Sequence, residues 1–206
     1  MSGGQSAASG SPSGRGTPER RRPERLSLEA VLHATSVEEV AGVLPSTGRP
    51  VVVPGYVRHE KLWSADLPDG FNAVPNKPAY VLNGKPLYPE LLVVRLLERA
   101  GWKAAWNKRW GIAAFWRDIG EAVEPPAMAV AILDQVTQQA GHLAPWDIVA
   151  WRGRELRLLV SRTGDGGRLG AYLASWLDAA LRMGIPLGCF AVVEHRSDPP
   201  PTRRRR

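Results

Sequence analysis

Aromatic and cationic side chains alternate in the middle of the chain, a pattern that suits contact with nucleic acid. Trp106 and Trp110 flank the tripeptide Asn107-Lys108-Arg109. Indole rings can stack on bases while neighbouring cations hold the phosphates of a single strand. Trp106, Lys108, Arg109 and Trp110 are therefore candidate nucleic-acid contacts. Core packing is the simpler interpretation for several of the other tryptophans.

Other groups that commonly carry catalysis are sparse. Cys189 is the single cysteine of the chain, so an internal disulfide and a cysteine-based zinc site are both excluded. Its apolar neighbours predict a packed thiol rather than a nucleophile. The four histidines fall on unrelated segments without the spacing of metal ligands, and each is predicted to be structural or solvated.

The net charge of +7 is concentrated at the two ends of the chain. Residues 1–25 carry five arginines and two glutamates, residues 196–206 carry five arginines and one aspartate, and residues 26–195 are formally neutral. Both ends have almost no apolar side chains and are predicted to be disordered tails. Such tails either raise nonspecific affinity for nucleic acid or only improve solubility, and both interpretations stay open.

The sequence contains no candidate for membrane insertion or export. No apolar run approaches the ~18–20 residues that a membrane helix needs. The N-terminus also lacks the apolar stretch of a secretory signal. We therefore expect a cytoplasmic protein with no membrane partner.

Residues 26–86 are predicted to form a helical and extended N-terminal region. A short helix follows Ser27, and the Ser-Val-Glu-Glu sequence at 36–39 fits a capping box that opens a second helix ending near Pro45. Residues 49–54 form a β-prone run between prolines, which predicts an edge strand. The rest is predicted to be extended, with a short strand at 80–82.

Residues 87–195 show the clearest periodicity. Helices are predicted at 89–100, 127–139 and 168–183, and each is followed by a glycine within two residues of its end. Strands are predicted at 102–106, at 148–151 and 155–161 as a hairpin, and at 187–193. This order predicts an α/β domain, a mixed sheet flanked by helices, in which the last helix is a crossover between strands.

One part of this region carries a specific motif. Pro145-Trp146-Asp147 opens the hairpin, Arg162 closes its second strand, and a Trp-Leu pair follows in the next helix. This order resembles the PD-(D/E)XK nuclease superfamily, and within it the VRR-NUC branch, over residues 88–195. The resemblance implies a restriction-endonuclease-like fold.

The resemblance also implies roles for particular residues. In such nucleases two carboxylates bind Mg²⁺ or Mn²⁺, and the metal lowers the pKa of the attacking water. Asp147 matches the first acid, and Glu90 matches a helix carboxylate that serves as an extra ligand, so these two are the predicted metal ligands. Arg162 takes the place of the lysine, and Arg168 in the following turn joins it as a candidate phosphate contact.

The motif departs from the family at its second acid, which aligns with Val160. Aliphatic carbon offers no ligand to a metal, and arginine clamps phosphate differently from lysine. The leading hypothesis is therefore a nucleic-acid-binding pseudo-nuclease, with DNA favoured over RNA. Two alternatives remain. The first is an active Mg²⁺- or Mn²⁺-dependent DNA endonuclease that uses Asp147 and Glu90, with Asp165 able to swing in. The second is a protein-interaction or structural subunit, or a homo-oligomer.

Overall fold

The computed structural model describes residues 26–68, 77–110, 113–143, 145–164 and 167–197. Their helices are α1 (Leu28–Leu32), α2 (Pro89–Arg99), α3 (Ala127–Ala140) and α4 (Ala171–Arg182). Their strands are β1 (Ser36–Val43), β2 (Pro50–Glu60), β3 (Tyr80–Leu82), β4 (Lys85–Leu87), β5 (Lys103–Trp110), β6 (Ala113–Asp118), β7 (Glu121–Ala122), β8 (Ile148–Arg152), β9 (Glu155–Thr163) and β10 (Phe190–Ser197).

Eight of these strands form one mixed sheet in the order β1-β2-β10-β9-β8-β5-β6-β7. β10 is parallel to both of its neighbours, β2 and β9, and the other pairs are antiparallel. α4 is the crossover that makes β9 and β10 parallel. β3 and β4 pair separately as a hairpin. The prediction of a mixed sheet flanked by helices is confirmed.

The helices cover the two faces of the sheet separately. α1 and α2 pack with Ile148, Leu159 and Ala191 on one face, which we call the α2 face. α3 and α4 pack with Val160 and Val192 on the other, which we call the α4 face. Because side chains alternate along a strand, neighbouring residues of β9 and β10 belong to opposite faces.

The helices of residues 87–195 follow their local signals. α2 begins with Pro89 at its first position, where the missing N–H leaves no intrahelical bond unmade. α3 ends at Gly141, whose φ of 74° lies in the left-handed region that suits glycine. The predicted helices and the β8–β9 hairpin are confirmed. The last strand starts at Phe190, after a 3₁₀ turn over Leu187–Cys189.

The prediction of a helix from residue 36 is wrong, because these residues form β1. A capping box is a local signal, whereas β1 pairs with β2 along its whole length. The fit is close at Gly55, where a Cβ would lie 2.6 Å from Val40 Cγ2. β2 is also not the predicted edge strand, since β1 and β10 flank it.

The boundary predicted at residue 196 is also wrong. Arg196 and Ser197 continue β10 and pair with His59 and Glu60 of β2. The remaining parts of the two predicted tails, residues 1–25 and 198–206, lie outside the described residues. None of the helices in the described ranges combines the length and apolarity that crossing a bilayer requires.

Candidate functional site

Asp147 lies immediately before β8 and is held by both neighbouring strands. Its carbonyl oxygen accepts a hydrogen bond from the Asn107 N–H of β5 at 2.6 Å. Its side-chain Oδ2 accepts one from the Ser161 N–H of β9 at 3.1 Å. The carboxyl group is therefore fixed by backbone donors of the sheet rather than by a flexible loop.

Glu90 occupies the first turn of α2 and is 3% exposed. Its Oε1 accepts a hydrogen bond from the Lys77 ammonium at 2.5 Å. Lys77 Nζ also lies 4.9 Å from the centroid of the Trp106 ring and 5.9 Å from that of Tyr88. Two aromatic faces and a carboxylate thus surround this ammonium group, a favourable environment for a cation.

The charge of Glu90 acts on the Asp147 carboxyl group. The pKa of Asp147 is raised from 3.8 to about 7, mainly by burial and in part by the negative charge of Glu90. The Ser161 N–H and the charges of Lys77 and Lys108 lower it. The sequence placed these two carboxyl groups together, and the structure brings them within range of mutual repulsion.

The residue of β9 that contacts the Asp147 carboxylate is Ser161 and not Val160. Val160 packs on the α4 face, away from Glu90. The Ser161 backbone donates to Asp147, and its Oγ lies 3.0 Å from His195 Nε2. Val160, which the resemblance aligns with the second acid, therefore lies on the face of β9 opposite to Ser161.

Arg162 is also on the α4 face, and its side chain binds Glu194 rather than Asp147. Its Nε donates to Glu194 Oε1 at 3.0 Å, and its Nη1 donates to the carbonyl of Arg168 at 2.9 Å. Glu194 is buried and also accepts from Arg196. Arg162 serves an ion-pair network that links β9, β10 and the turn before α4. The Arg168 side chain itself is exposed.

His195 is a site residue that the sequence reasoning missed. Its ring is buried and stacks on Tyr80, with centroids 5.3 Å apart and an interplanar angle of 19°. Its Nδ1 lies 3.9 Å from Glu60 Oε1. Burial, followed by the charges of Arg58 and Lys77, lowers the pKa of His195 from 6.5 to about 3. The ring is therefore neutral in the folded protein at neutral pH.

A signal for His195 was present in the sequence. Ala191, Val193 and His195 share the period of two that places side chains on one face of a strand. Ala191 and Val193 pack on the α2 face, and His195 continues their row. The signal for Lys77 is absent, because this residue precedes β3 in a segment with no periodicity.

The predicted nucleic-acid contacts have different outcomes. Trp106 is 1% exposed and packs in the core on the α2 face, so its ring has no surface for stacking on a base and this prediction is wrong. Lys108 is exposed, and its charge lowers the pKa of Asp147. The side chains of Arg109 and Trp110 lie outside the described part of the structure, as does Asp165.

These residues do not fit a resident divalent cation. Within the described ranges, no group of three or more His, Cys, Asp or Glu side chains could hold a metal ion. One oxygen of Glu90 already binds the Lys77 ammonium. A magnesium ion would need several more oxygen ligands in octahedral geometry.

Fold and site together define a mixed α/β protein with a cluster of buried ionisable residues between its sheet and α2. Comparisons of the chain with protein-family models, with curated proteins and with solved structures found no match.

Proposed function

We propose that this chain is a nuclease-fold protein of the PD-(D/E)XK type that binds nucleic acid without cleaving it. The supporting observation is the order of elements around the carboxyl pair. α2 precedes the antiparallel strands β5, β8 and β9, and α4 then crosses over to the parallel strand β10. Asp147 opens the middle strand, and Glu90 lies on the helix before it.

The loss of cleavage follows from the chemistry of the same pair. A metal-dependent nuclease needs ionised carboxylates that hold the ion and leave it open to water and phosphate. Here Glu90 binds Lys77, and the pKa of Asp147 is raised to about 7 by burial and by Glu90. Ser161, which faces this site, binds His195 and adds no charge.

Binding of nucleic acid is proposed from exposed positive charge. Lys108 lies beside the carboxyl pair and is exposed, as is Arg168 in the turn before α4. The sequence adds five arginines in residues 1–25 and four in residues 203–206. Cations of this kind bind phosphates through counterion release, which makes affinity fall steeply with salt. We propose DNA as the ligand in preference to RNA.

Fluorescence anisotropy with labelled DNA and RNA of one sequence tests the binding proposal. Affinity should fall by about 10-fold or more between 50 and 200 mM salt. Lys108→Ala should weaken binding more than Lys103→Ala. Both lysines are exposed on β5, but Lys103 is about 17 Å further along the strand. Absence of binding at low salt would favour the alternative of a protein-interaction subunit.

A plasmid-nicking assay tests the loss of cleavage. Wild-type protein and Asp147→Ala are incubated with supercoiled DNA and either Mg²⁺ or Mn²⁺. We expect no nicking above that of the variant. Nicking that requires both the metal and Asp147 would refute the pseudo-nuclease proposal and favour an active endonuclease that uses Asp147 with Glu90. The proximity of these two carboxyl groups is the observation that supports that second candidate.

A further inference from the structure

Two arginines converge on one tryptophan ring at the turn end of the β8–β9 hairpin. Arg152 is the last residue of β8, and Arg157 lies in β9. The guanidinium carbon of Arg152 is 4.3 Å from the centroid of the Trp102 ring, and that of Arg157 is 5.6 Å from it. Trp102 is 6% exposed and belongs to the core on the α2 face. Cation–π contacts with a fixed ring therefore hold both guanidinium groups in place.

Most N–H donors of these two groups have no oxygen partner in the described part of the chain. A guanidinium group has five such donors. Arg157 makes one hydrogen bond to a described oxygen atom, from Nη1 to the Leu156 carbonyl at 3.0 Å, and this bond involves no carboxylate. Arg152 Nη2 lies 3.4 Å from Glu155 Oε2, which is longer than the ~2.7–2.9 Å of a strong charge-assisted hydrogen bond.

The same side chains line a cavity of about 280 Å³ between the hairpin and α1. Its charged lining residues are Arg152, Arg157 and Glu155, so the lining has one positive charge in excess. Ser27 adds a hydroxyl group that can donate a hydrogen bond, and Leu28 of α1 adds an apolar wall. The cavity thus combines an excess of fixed cationic donors with an apolar side.

We propose that Arg152 and Arg157 bind the phosphate group of a small phosphorylated ligand in this cavity. A guanidinium group matches phosphate oxygens with two parallel hydrogen bonds. Arginines that are already held on a ring lose less conformational entropy on binding than two flexible side chains. The cavity volume is close to the lower limit for small-molecule sites, so the ligand is small.

This site is separate from the carboxyl pair. Arg152 is five residues from Asp147, which corresponds to about 17 Å along a strand. The proposal therefore does not depend on whether the protein binds nucleic acid, and the two can fail independently.

Isothermal titration calorimetry of the whole chain with inorganic phosphate, at constant ionic strength, tests the proposal. Wild-type protein should bind one phosphate. Arg152→Gln and Arg157→Gln should each raise the dissociation constant at least about tenfold, because each removes hydrogen bonds from a charged group to phosphate. Arg154→Gln is the matched control, because this exposed arginine carries the same charge in the hairpin turn but does not line the cavity. It should change the constant by less than about twofold.

Two results of this titration would overturn the proposal. The first is wild-type protein without saturable binding. The second is binding that Arg152→Gln, Arg157→Gln and Arg154→Gln change equally, which would place the phosphate on other cations of the chain.

A DNA titration separates a small phosphorylated ligand from backbone phosphates. Arg152→Gln should weaken binding of an oligonucleotide without terminal phosphates no more than Arg154→Gln does. A larger loss of DNA affinity in Arg152→Gln, together with unchanged phosphate binding, would assign this arginine to a nucleic-acid surface and contradict the proposal.

Thermal melting covers the case in which the glutamine variants do not fold. Phosphate should raise the melting temperature of wild type and of Arg154→Gln above the value in chloride at equal ionic strength, because a ligand of the folded state stabilises it. Arg157→Lys keeps the charge but loses the planar fork, so it should fold and show a smaller rise. Equal melting temperatures of wild type in the two salts, or an undiminished rise in Arg157→Lys, would refute the assignment.

Discussion

Asp147 and His195 should give the stability of the protein two opposing dependences on pH. His195 is buried and Asp147 is half-buried on the α2 side of the sheet, and both are neutral in the folded state over the mildly acidic range. In the unfolded chain, the aspartate loses its proton near pH 4 and the histidine keeps its proton up to about pH 6.5. Substituting one group at a time therefore exposes the effect of the other.

The contribution of Asp147 can be worked out from its pKa. The value is about 7 in the folded protein against an ordinary 3.8, so the folded state holds a proton that the unfolded state releases. Stability is then lost as pH rises from about 4 to 7. A difference of about three pKa units corresponds to roughly 4 kcal/mol above pH 7. Asp147→Asn removes this loss and can still accept the Ser161 hydrogen bond.

The contribution of His195 has the opposite sign. Its pKa falls from 6.5 to about 3 in the folded protein, so the unfolded state binds the extra proton between these values. Stability is fully retained above pH 6.5 and is lost as pH falls. At pH 5 the loss is about 2 kcal/mol, from roughly 1.4 kcal/mol for each pH unit. Between pH 4 and 6.5 the changes in unfolding free energy that His195 and Asp147 cause have opposite signs and cancel.

Urea denaturation from pH 4.5 to 6.5 measures these slopes. Relative to wild type, the unfolding free energy of Asp147→Asn should rise by up to about 1.4 kcal/mol for each pH unit, because only the His195 effect remains. The unfolding free energy of His195→Gln should fall with pH by the same amount, because only the Asp147 effect remains. The double variant should again follow the wild-type profile. A cavity left by the His195 ring lowers stability at every pH and leaves the slope unchanged. A constant difference between Asp147→Asn and wild type across this range would refute the reasoning.

Three further predictions concern stability at neutral pH. Trp106→Ala should lower the unfolding free energy by about 3–5 kcal/mol, measured in urea, because its ring is a core residue. Asp178→Ala should cost about 1–3 kcal/mol by the same measurement, because the buried carboxylate accepts from the backbone and hydroxyl of Ser46. Gly55→Ala should lower the melting temperature with a cost of about 1–3 kcal/mol, since the new Cβ would meet Val40.

Each of these three substitutions has a matched control variant. Trp106→Phe should recover part of the lost stability, and equal losses in both Trp106 variants would argue against packing as the cause. Asp178→Asn keeps an acceptor and should cost less than the alanine. Gly170→Ala is the control for Gly55, because a Cβ there meets nothing within 4 Å. A Gly55 variant as stable as the Gly170 variant would show that β1 and β2 separate easily.

The elements that the sequence predicted are those with local determinants. α2 and α3 have apolar periodicity and clear end signals, and the β8–β9 hairpin has its turn at Gly153, with a φ of 60°. β1 was missed because a strand is stabilised by its neighbour, and the residues that pair with β1 lie 7 to 21 positions further along the chain in β2. A capping box is a local sequence pattern, so it does not indicate whether β1 pairs with β2.

The site was predicted only as far as its carboxyl groups. The sequence placed Asp147 and Glu90 in one site, and in the structure the charge of Glu90 acts on the pKa of Asp147. Val160 and Arg162 were assigned by alignment with the family motif, whereas the pleat of β9 decides which side chains face α2. Val160 and Arg162 lie on the α4 face, and Ser161 between them is the residue that contacts Asp147. Lys77 comes from a segment without pattern, so only its contact with Glu90 reveals its role.

The buried cluster on the α2 side is energetically unfavourable for the fold that contains it. Neutral His195 lowers stability in acid, and buried Asp147 lowers it above pH 4, whereas an apolar core would do neither. Ionisable groups kept in a core at such a cost are typical of functional sites. Lys77 neutralises part of the charge that these groups introduce, because its ammonium binds Glu90. The cost of the cluster therefore argues for a functional role rather than a structural one, since an apolar core would stabilise the same fold at every pH.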